Sequence, residues 1–262
     1  MSRIPVLVLF ATASLAVACP GAEALTRVAG VEVRGSAAIR GAAMKLGFAR
    51  ELGQSLTDQV VARGVERLKR IGRAAGVRVD FRETPSGTWI CYEVRENPAI
   101  ESIEFLGNTA ISDGELLKDF AVKPGEVLDW DRLYKEVNRI PEIYLARKGV
   151  LYAGVLSPLA VQANGGKLSI YVQEFRLRRL EVKGVRGHLR DAVLASLPLR
   201  RGQVLRRQDL LGGLFNAYQL PGIQDIEYSP KFDREHGEIT LVLNLTEAGQ
   251  PAASPAGRGK LN

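Results

Sequence analysis

Three short stretches share one pattern of apolar and polar positions: "VEVRG" at Val31–Gly35, "IEFLG" at Ile103–Gly107 and "LEVKG" at Leu180–Gly184. Alternation of this kind gives a strand with one buried face, closed here by a glycine. Three more markers follow each copy in the same order. "GQSL" from Gly53, "GEVL" from Gly125 and "GQVL" from Gly202 align. So do "GV" at Gly76, "GV" at Gly149 and "GI" at Gly222. "YEVRE", "IYVQE" and "LNLTE" close the copies at Glu96, Glu174 and Glu247. Four markers in one order, three times, at a period of about 72–78 residues, define an internal repeat.

Within each copy the pattern predicts strand, helix, helix, strand, strand. In the middle copy the strand ends at Gly107-Asn108. Ser112-Asp113-Gly114-Glu115 then has the form of a capping box, in which hydroxyl and carboxylate satisfy exposed backbone donors at a helix start. That helix runs to about Phe120 and breaks at Lys123-Pro124-Gly125. A second helix starts near Asp129–Asp131, with Leu133, Val137, Ile140 and Tyr144 spaced for one face. Pro141 falls inside it and predicts a kink or a restart, because proline removes a backbone donor and crowds the preceding turn. The equivalent stripe is Val61, Val65, Leu68, Ile71 in the first copy and Leu210, Leu211, Leu214, Phe215, Tyr218 in the third. The turns "ETPSGT", "NGGK" and "DREHGE" separate the last two strands. The fold class expected is α+β: three tandem β-α-α-β-β domains, each with a three-stranded mixed sheet covered on one face by two helices. The boundaries are 25–98, 99–175 and 176–248, with almost no linker between them, as in a semi-rigid string of beads.

The ends differ from the repeats. Residues 1–24 combine Arg3, an apolar run from Ile4 to Ala18 and the small-x-small triplet Ala22-Glu23-Ala24, which predicts a cleaved secretory signal ending at Ala24. A retained anchor and lipid attachment at Cys19 are the competing readings of the same segment. Residues 249–262 are rich in Pro, Gly and Ala, the composition of a disordered tail. After cleavage only Cys91 would remain, so no intramolecular disulfide could form and stability must rest on hydrophobic cores. A formal net charge of +7 favours weak contact with an anionic membrane surface, although 29 acids beside 36 bases also suit a mixed, solvated exterior.

The middle copy, "IESIEFLGNTAISDGELLKDFAVKPGEVLDWDRLYKEVNRI" followed by "YLARKGVLYAGV", resembles the POTRA (polypeptide-transport-associated) family. Such domains stand in arrays before a β-barrel in BamA/TamA-type outer-membrane assembly factors. "NAYQLPGIQDIEYSP" in the third copy is similar to the second POTRA domain of two-partner-secretion transporters. The first copy is the weakest match, since "GSAAIRGAAMKLG" lacks the Asn and the capping box. The resemblance covers about residues 27–248, and no barrel sequence follows before Asn262. A stand-alone POTRA protein and the front of a longer reading frame are both open.

The resemblance implies a periplasmic, non-enzymatic scaffold near the outer membrane that binds extended polypeptide along a sheet edge, where unpaired N–H and C=O groups await a partner. The clients would be unfolded outer-membrane proteins or envelope assembly proteins, with an outer-membrane barrel as a further partner. An adaptor docking onto another envelope complex is the alternative use of the same modules. By resemblance the binding edge is the second strand of each copy: Val77, Val79 and Phe81; Val150, Leu151, Tyr152 and Ala153; Gln224, Ile226 and Tyr228. Gly35, Gly107, Asn108, Gly184, Gly76, Gly149 and Gly222 are structural turns.

Other chemistry is poorly supported by the residues. No G-x-G-x-x-G follows a strand, and "SPAGRGKL" misses the phosphate-loop pattern at both ends, so no nucleotide cofactor is expected. His188 and His236 have no spaced Cys, His or Asp partners, so neither a metal site nor a catalytic base is expected. Cys91 and Trp89 alternate with Ile90, Tyr92 and Val94 and belong on the open sheet face, the thiol half exposed. "GVRG" at Gly184–Gly187 has the G-x-x-G form of a KH nucleic-acid clamp. In that fold the loop joins two helices, whereas here it follows the first strand, so no nucleic-acid partner is expected.

Overall fold

A computed structural model of the protein describes residues 27–249. The expected signal segment, Cys19 and all of the expected tail except Gly249 lie outside the described residues. The chain divides into two units. One comprises residues up to Leu68 together with Val77–Val94; the other comprises Lys69–Gly76 together with residues from Arg95 onward.

The first unit is built on β1 (Val28–Arg34), α1 (Ala37–Lys45), a 3-10 turn at Phe48–Glu51, α2 (Asp58–Lys69), β2 (Ala74–Thr84) and β3 (Gly87–Glu96). The strand order is β1-β3-β2, with β1 parallel to β3. Ser36 caps α1 by accepting from the Ile39 N–H at 3.3 Å, so this copy starts its helix without the reciprocal carboxylate of a full capping box. Of the stripe expected on the second helix of this copy, Leu68 and Ile71 are buried, but in its earlier turns Val60 and Gly64 take the inner positions and Val61 and Val65 are only partly buried. Gly64 is the reason. A Cβ there would stand 2.0 Å from the Tyr92 hydroxyl oxygen, so the helix closes on β3 through a glycine, and a count of apolar side chains misses it.

The second unit carries two sheets and two hydrophobic cores. The first is formed by β4 (Ser102–Leu106), β6 (Val161–Asn164) and β7 (Lys167–Tyr171) in the order β4-β7-β6, with a small pair of β5 (Ala153–Gly154) and β8 (Gln173–Glu174) beside it. Helices α3 (Asp113–Asp119), α4 (Trp130–Asn138) and α5 (Ile140–Lys148) cover it. The second sheet is β9 (Arg176–Lys183), β11 (Glu238–Glu247) and β10 (Ile223–Asp233), in that order, with α6 (Gly187–Ser196) and α7 (Arg207–Tyr218). In each three-stranded sheet the first strand pairs parallel with the last, and the second strand lies at the opposite edge. The fold class is α+β, as the alternation predicted.

Pro141 produces a restart. Helix α4 stops at Asn138, Arg139 stands between the helices, and Pro141 occupies the first turn of α5, where its missing N–H has no intrahelical partner to lose. The capping box forms as its spacing requires. The Glu115 N–H reaches the Ser112 hydroxyl at 3.4 Å, and the Ser112 N–H reaches the Glu115 carboxylate at 3.1 Å. Lys148 joins it at 2.8 Å. Lys148 first, then the Ser112 backbone and hydroxyl, pull the Glu115 pKa down to about 2 from an ordinary 4.5. A depressed carboxylate pKa stabilises the fold above pH about 4.5 and loses that contribution as pH falls toward about 2. The urea midpoints of wild type and Glu115→Gln should therefore differ at pH 6 and converge as the pH approaches about 2.

One of the repeated glycine markers has the same physical role in all three copies. The N–H groups of Gly53, Gly125 and Gly202 donate to the carbonyls of Val28, Ile100 and Leu177, at 2.9, 2.7 and 2.7 Å. In return the N–H groups of those three apolar residues donate to the carbonyls of Gln54, Glu126 and Gln203. The loop between the helices is thus laced to the start of the first strand, and each glycine adopts a positive φ of 76–90° to make the turn. At the far end of the same strand, a Cβ on Gly107 or Gly184 would lie 2.4 Å from the Val172 carbonyl oxygen or 1.9 Å from that of Leu245. These glycines let first and last strands approach each other.

Candidate partner-binding edges

A strand edge can accept another chain only where its backbone is open and its side chains do not repel one. β2 and β10 are edge strands of 11 residues each. Along β2, Val77 and Val79 are half-buried and Phe81 is 55% exposed, with Arg78 and Asp80 between them and Arg82 next. Along β10, Ile226 and Tyr228 are half-buried and pair with Leu245 and Leu243 of β11, whereas Gln224 is exposed and falls at a register shift between Ile223 and Asp225. Pro230 lies in the same strand opposite Leu241. Proline is tolerated on an edge, and it interrupts the donors that an incoming strand would need beyond Ser229.

The middle copy departs from expectation. Its second strand in the sheet is Val161–Asn164, not the segment starting at Val150–Ala153. The chain is broken by Ser157-Pro158, which turns a 3-10 segment over Pro158–Ala160; of the expected strand, Ala153–Gly154 pairs with β8 and Val150 forms a lone antiparallel bridge to Arg206. The residues before it are engaged elsewhere in the unit. Val150 is fully buried, the Leu151 N–H donates to the Leu205 carbonyl at 2.9 Å, and the Arg207 N–H donates to the Gly149 carbonyl at 2.7 Å. The Phe175 N–H donates to the Tyr152 carbonyl at 3.0 Å, and the Tyr152 and Phe175 rings both meet Phe232 edge-on, with centroids 5.3 and 5.0 Å away. Burial, then the neighbouring Tyr228, pushes the Tyr152 hydroxyl up to about 12. Val150, Leu151 and Tyr152 therefore join the two cores of this unit and are not free to receive a strand. Beside them lies a cavity of about 290 Å³ whose walls include Pro141, Leu151, Tyr152, Gly154, Phe175 and Phe232.

A buried carboxylate closes this copy. Glu174 is 4% exposed and accepts hydrogen bonds from the Tyr144 hydroxyl at 2.9 Å, the Ala110 N–H at 2.7 Å and the Thr109 hydroxyl, with Arg176 at 3.4 Å. Burial, then Glu174, pushes the Tyr144 pKa up, so its proton stays in place as a donor. The network ties strand β8, helix α5 and the loop after Gly107. Asn108 serves the same loop, donating to the Ile111 carbonyl at 2.9 Å and to Asp113 at 2.7 Å. A repeated Glu at the end of each copy was the available signal. In the first copy the equivalent residue, Glu96, is ion-paired with Arg73 at 3.0 Å.

The open face of the first sheet carries Trp89 and Cys91 as the alternation required, but the thiol is 6% exposed rather than half exposed. Glu32 of the adjacent strand covers it, with the Cys91 sulfur 3.6 Å from its carboxylate, and Glu32 is held in turn by Arg34 at 2.9 Å. Burial first, then Glu32, pushes the thiol pKa up, which disfavours the reactive thiolate. The Arg82 guanidinium lies 4.9 Å from the centre of the Trp89 ring. His188 and His236 are exposed; His236 contacts Asp233 at 3.0 Å. Among the described residues no cluster of His, Cys, Asp and Glu could hold a metal ion, and no helix is long and apolar enough to cross a membrane.

Residues 98–174 match the POTRA family, described as surface antigen variable number repeat. The outer membrane protein assembly factor BamA of Nitratidesulfovibrio vulgaris is 20% identical over 159 residues, covering 61% of this chain. That match spans only 20% of the relative's own length. POTRA1–3 of the periplasmic domain of Omp85 from Anabaena has a TM-score of 0.67 at 17% identity, covering 86% of this chain and 96% of that one. The N-terminal domain of Omp85 from Thermosynechococcus elongatus gives 0.64 at 18%, covering 86% and 98%. The family match thus places a POTRA domain over the middle sheet and its helices, residues 98–174, and the likeness of fold to Omp85 POTRA arrays extends over most of the chain.

Proposed function

We propose that this chain is an exported, periplasmic scaffold at the outer membrane that holds extended polypeptide, chiefly unfolded outer-membrane proteins, by strand addition at β2 and β10. The supporting observation is the sheet order, which leaves these two long second strands at an edge in both the first and third copies. Backbone pairing supplies affinity without demanding a particular client sequence, as suits a scaffold for many unfolded chains. The middle copy contributes differently. Its edge strand β6 has four residues, and the segment from Val150 to Tyr152 serves as a joint between cores. The proposed client region is therefore Val77–Phe81 and Gln224–Ser229. The unit boundaries at 98/99 and 175/176 are part of the same proposal.

Backbone NMR of the full chain titrated with a synthetic barrel-strand peptide tests this. Amide shifts should concentrate in β2 and in β10 before Pro230, and Val79→Pro should remove those in β2 only. Shifts confined to the first strands β1 and β9, or absent from all edges, would overturn the proposal.

A further inference from the structure

The outward face of α7 is more apolar than a solvated helix needs. The expected core stripe of this helix splits in the structure: Leu210, Gly213 and Ala217 are buried, whereas Leu211, Phe215 and Tyr218 are 43%, 65% and 52% exposed. At 3.6 residues per turn, Arg207, Leu211, Phe215 and Tyr218 fall in one row along the helix. Arg206 precedes the row as the N-cap residue, and Arg200 and Arg201 lie in the turn before it. All four arginines are exposed, and none has a carboxylate within ion-pair distance among the described residues. From Arg186 to Tyr218 the chain has six arginines, no lysine or glutamate, and only two aspartates. One of those, Asp209, projects from a different side of α7 than the row.

We propose that this face of α7, with the arginines at its start, docks onto an anionic lipid bilayer. Charge complementarity identifies the occupant: unpaired guanidinium groups beside exposed Leu, Phe and Tyr match phosphate headgroups above an acyl boundary. The shape agrees. A convex helix with one row of large apolar side chains can enter an interface to shallow depth, and tyrosine at the end of the row suits the headgroup level. Bilayer docking is independent of strand addition, because it uses a helix on one face of the third sheet and not the edge strand β10.

Co-sedimentation of the full chain with phosphatidylcholine vesicles, with and without phosphatidylglycerol, tests the proposal. Binding should require phosphatidylglycerol and weaken as salt is raised. Arg206→Glu with Arg207→Glu should lower partitioning at least about tenfold, and Phe215→Ser by roughly fivefold to tenfold. Exposed Lys45→Glu, in the first unit, should change it much less. Phe215 is mostly exposed, so its substitution leaves the fold intact, which far-UV circular dichroism of each variant checks. Pelleting that ignores phosphatidylglycerol, or that survives the double charge reversal, would overturn the proposal. So would a Phe215→Ser variant that binds vesicles normally but loses a concentration-dependent self-association, which would make the row a contact between protein copies.

Discussion

Glu174→Ala should cost the second unit about 3–5 kcal/mol. The carboxylate is buried and accepts from the Tyr144 hydroxyl, the Ala110 N–H and the Thr109 hydroxyl. Its removal leaves the buried Tyr144 hydroxyl and the half-buried Ala110 N–H without their acceptor, each such group costing about 1–3 kcal/mol, while exposed Thr109 can turn to water. Arg176 loses an anionic neighbour as well. Glu174→Gln keeps the shape and one good acceptor, and should cost about half as much. Urea unfolding followed by far-UV circular dichroism measures both. Equal midpoints for wild type and Glu174→Ala would show that the network contributes nothing to stability.

Gly184→Ala should be comparably severe, at roughly 3–4 kcal/mol, because two costs coincide. Its φ of +88° is strained for any residue with a Cβ, and that Cβ would stand 1.9 Å from a backbone carbonyl oxygen that cannot step aside. Gly107→Ala meets the same obstacle at 2.4 Å and a φ of +87°, and should follow closely. Gly125→Ala and Gly202→Ala form the control pair. Their φ values are also positive, but nothing lies within 4 Å of the added atom, so only about 1 kcal/mol of backbone strain is expected. Stability of the four variants should fall in the order of crowding, not of φ. A flat series would mean that the strands separate slightly to accept a methyl group.

Much of the fold was legible because its signals are local. Apolar alternation located all three first strands, Ser112 and Glu115 marked a helix start, and Pro141 marked a helix restart. What the sequence hid was relational. Gly64 looks like an interruption of an apolar stripe and is the point where α2 meets Tyr92. Leu211, Phe215 and Tyr218 have helical spacing, but spacing does not say which side the sheet occupies, and Gly213 and Ala217 took the inner one. The same holds for the candidate edges. Strand character is visible at Val77–Phe81 and Gln224–Tyr228. The apolar run Val150–Ala153 looks no different, yet it is consumed by bonds to Gly149–Tyr152 from residues 175, 205 and 207 that no local pattern reveals.

The paired bonds from Gly53, Gly125 and Gly202 to the first strands use main-chain atoms alone. The residues after them are Gln54, Glu126 and Gln203, and none is held to its identity by those bonds. A scaffold anchored in this way can let its copies diverge in charge and surface chemistry while the frame stays in register. Under that shared frame two copies keep long edge strands, and one spends the corresponding segment on joining its neighbour.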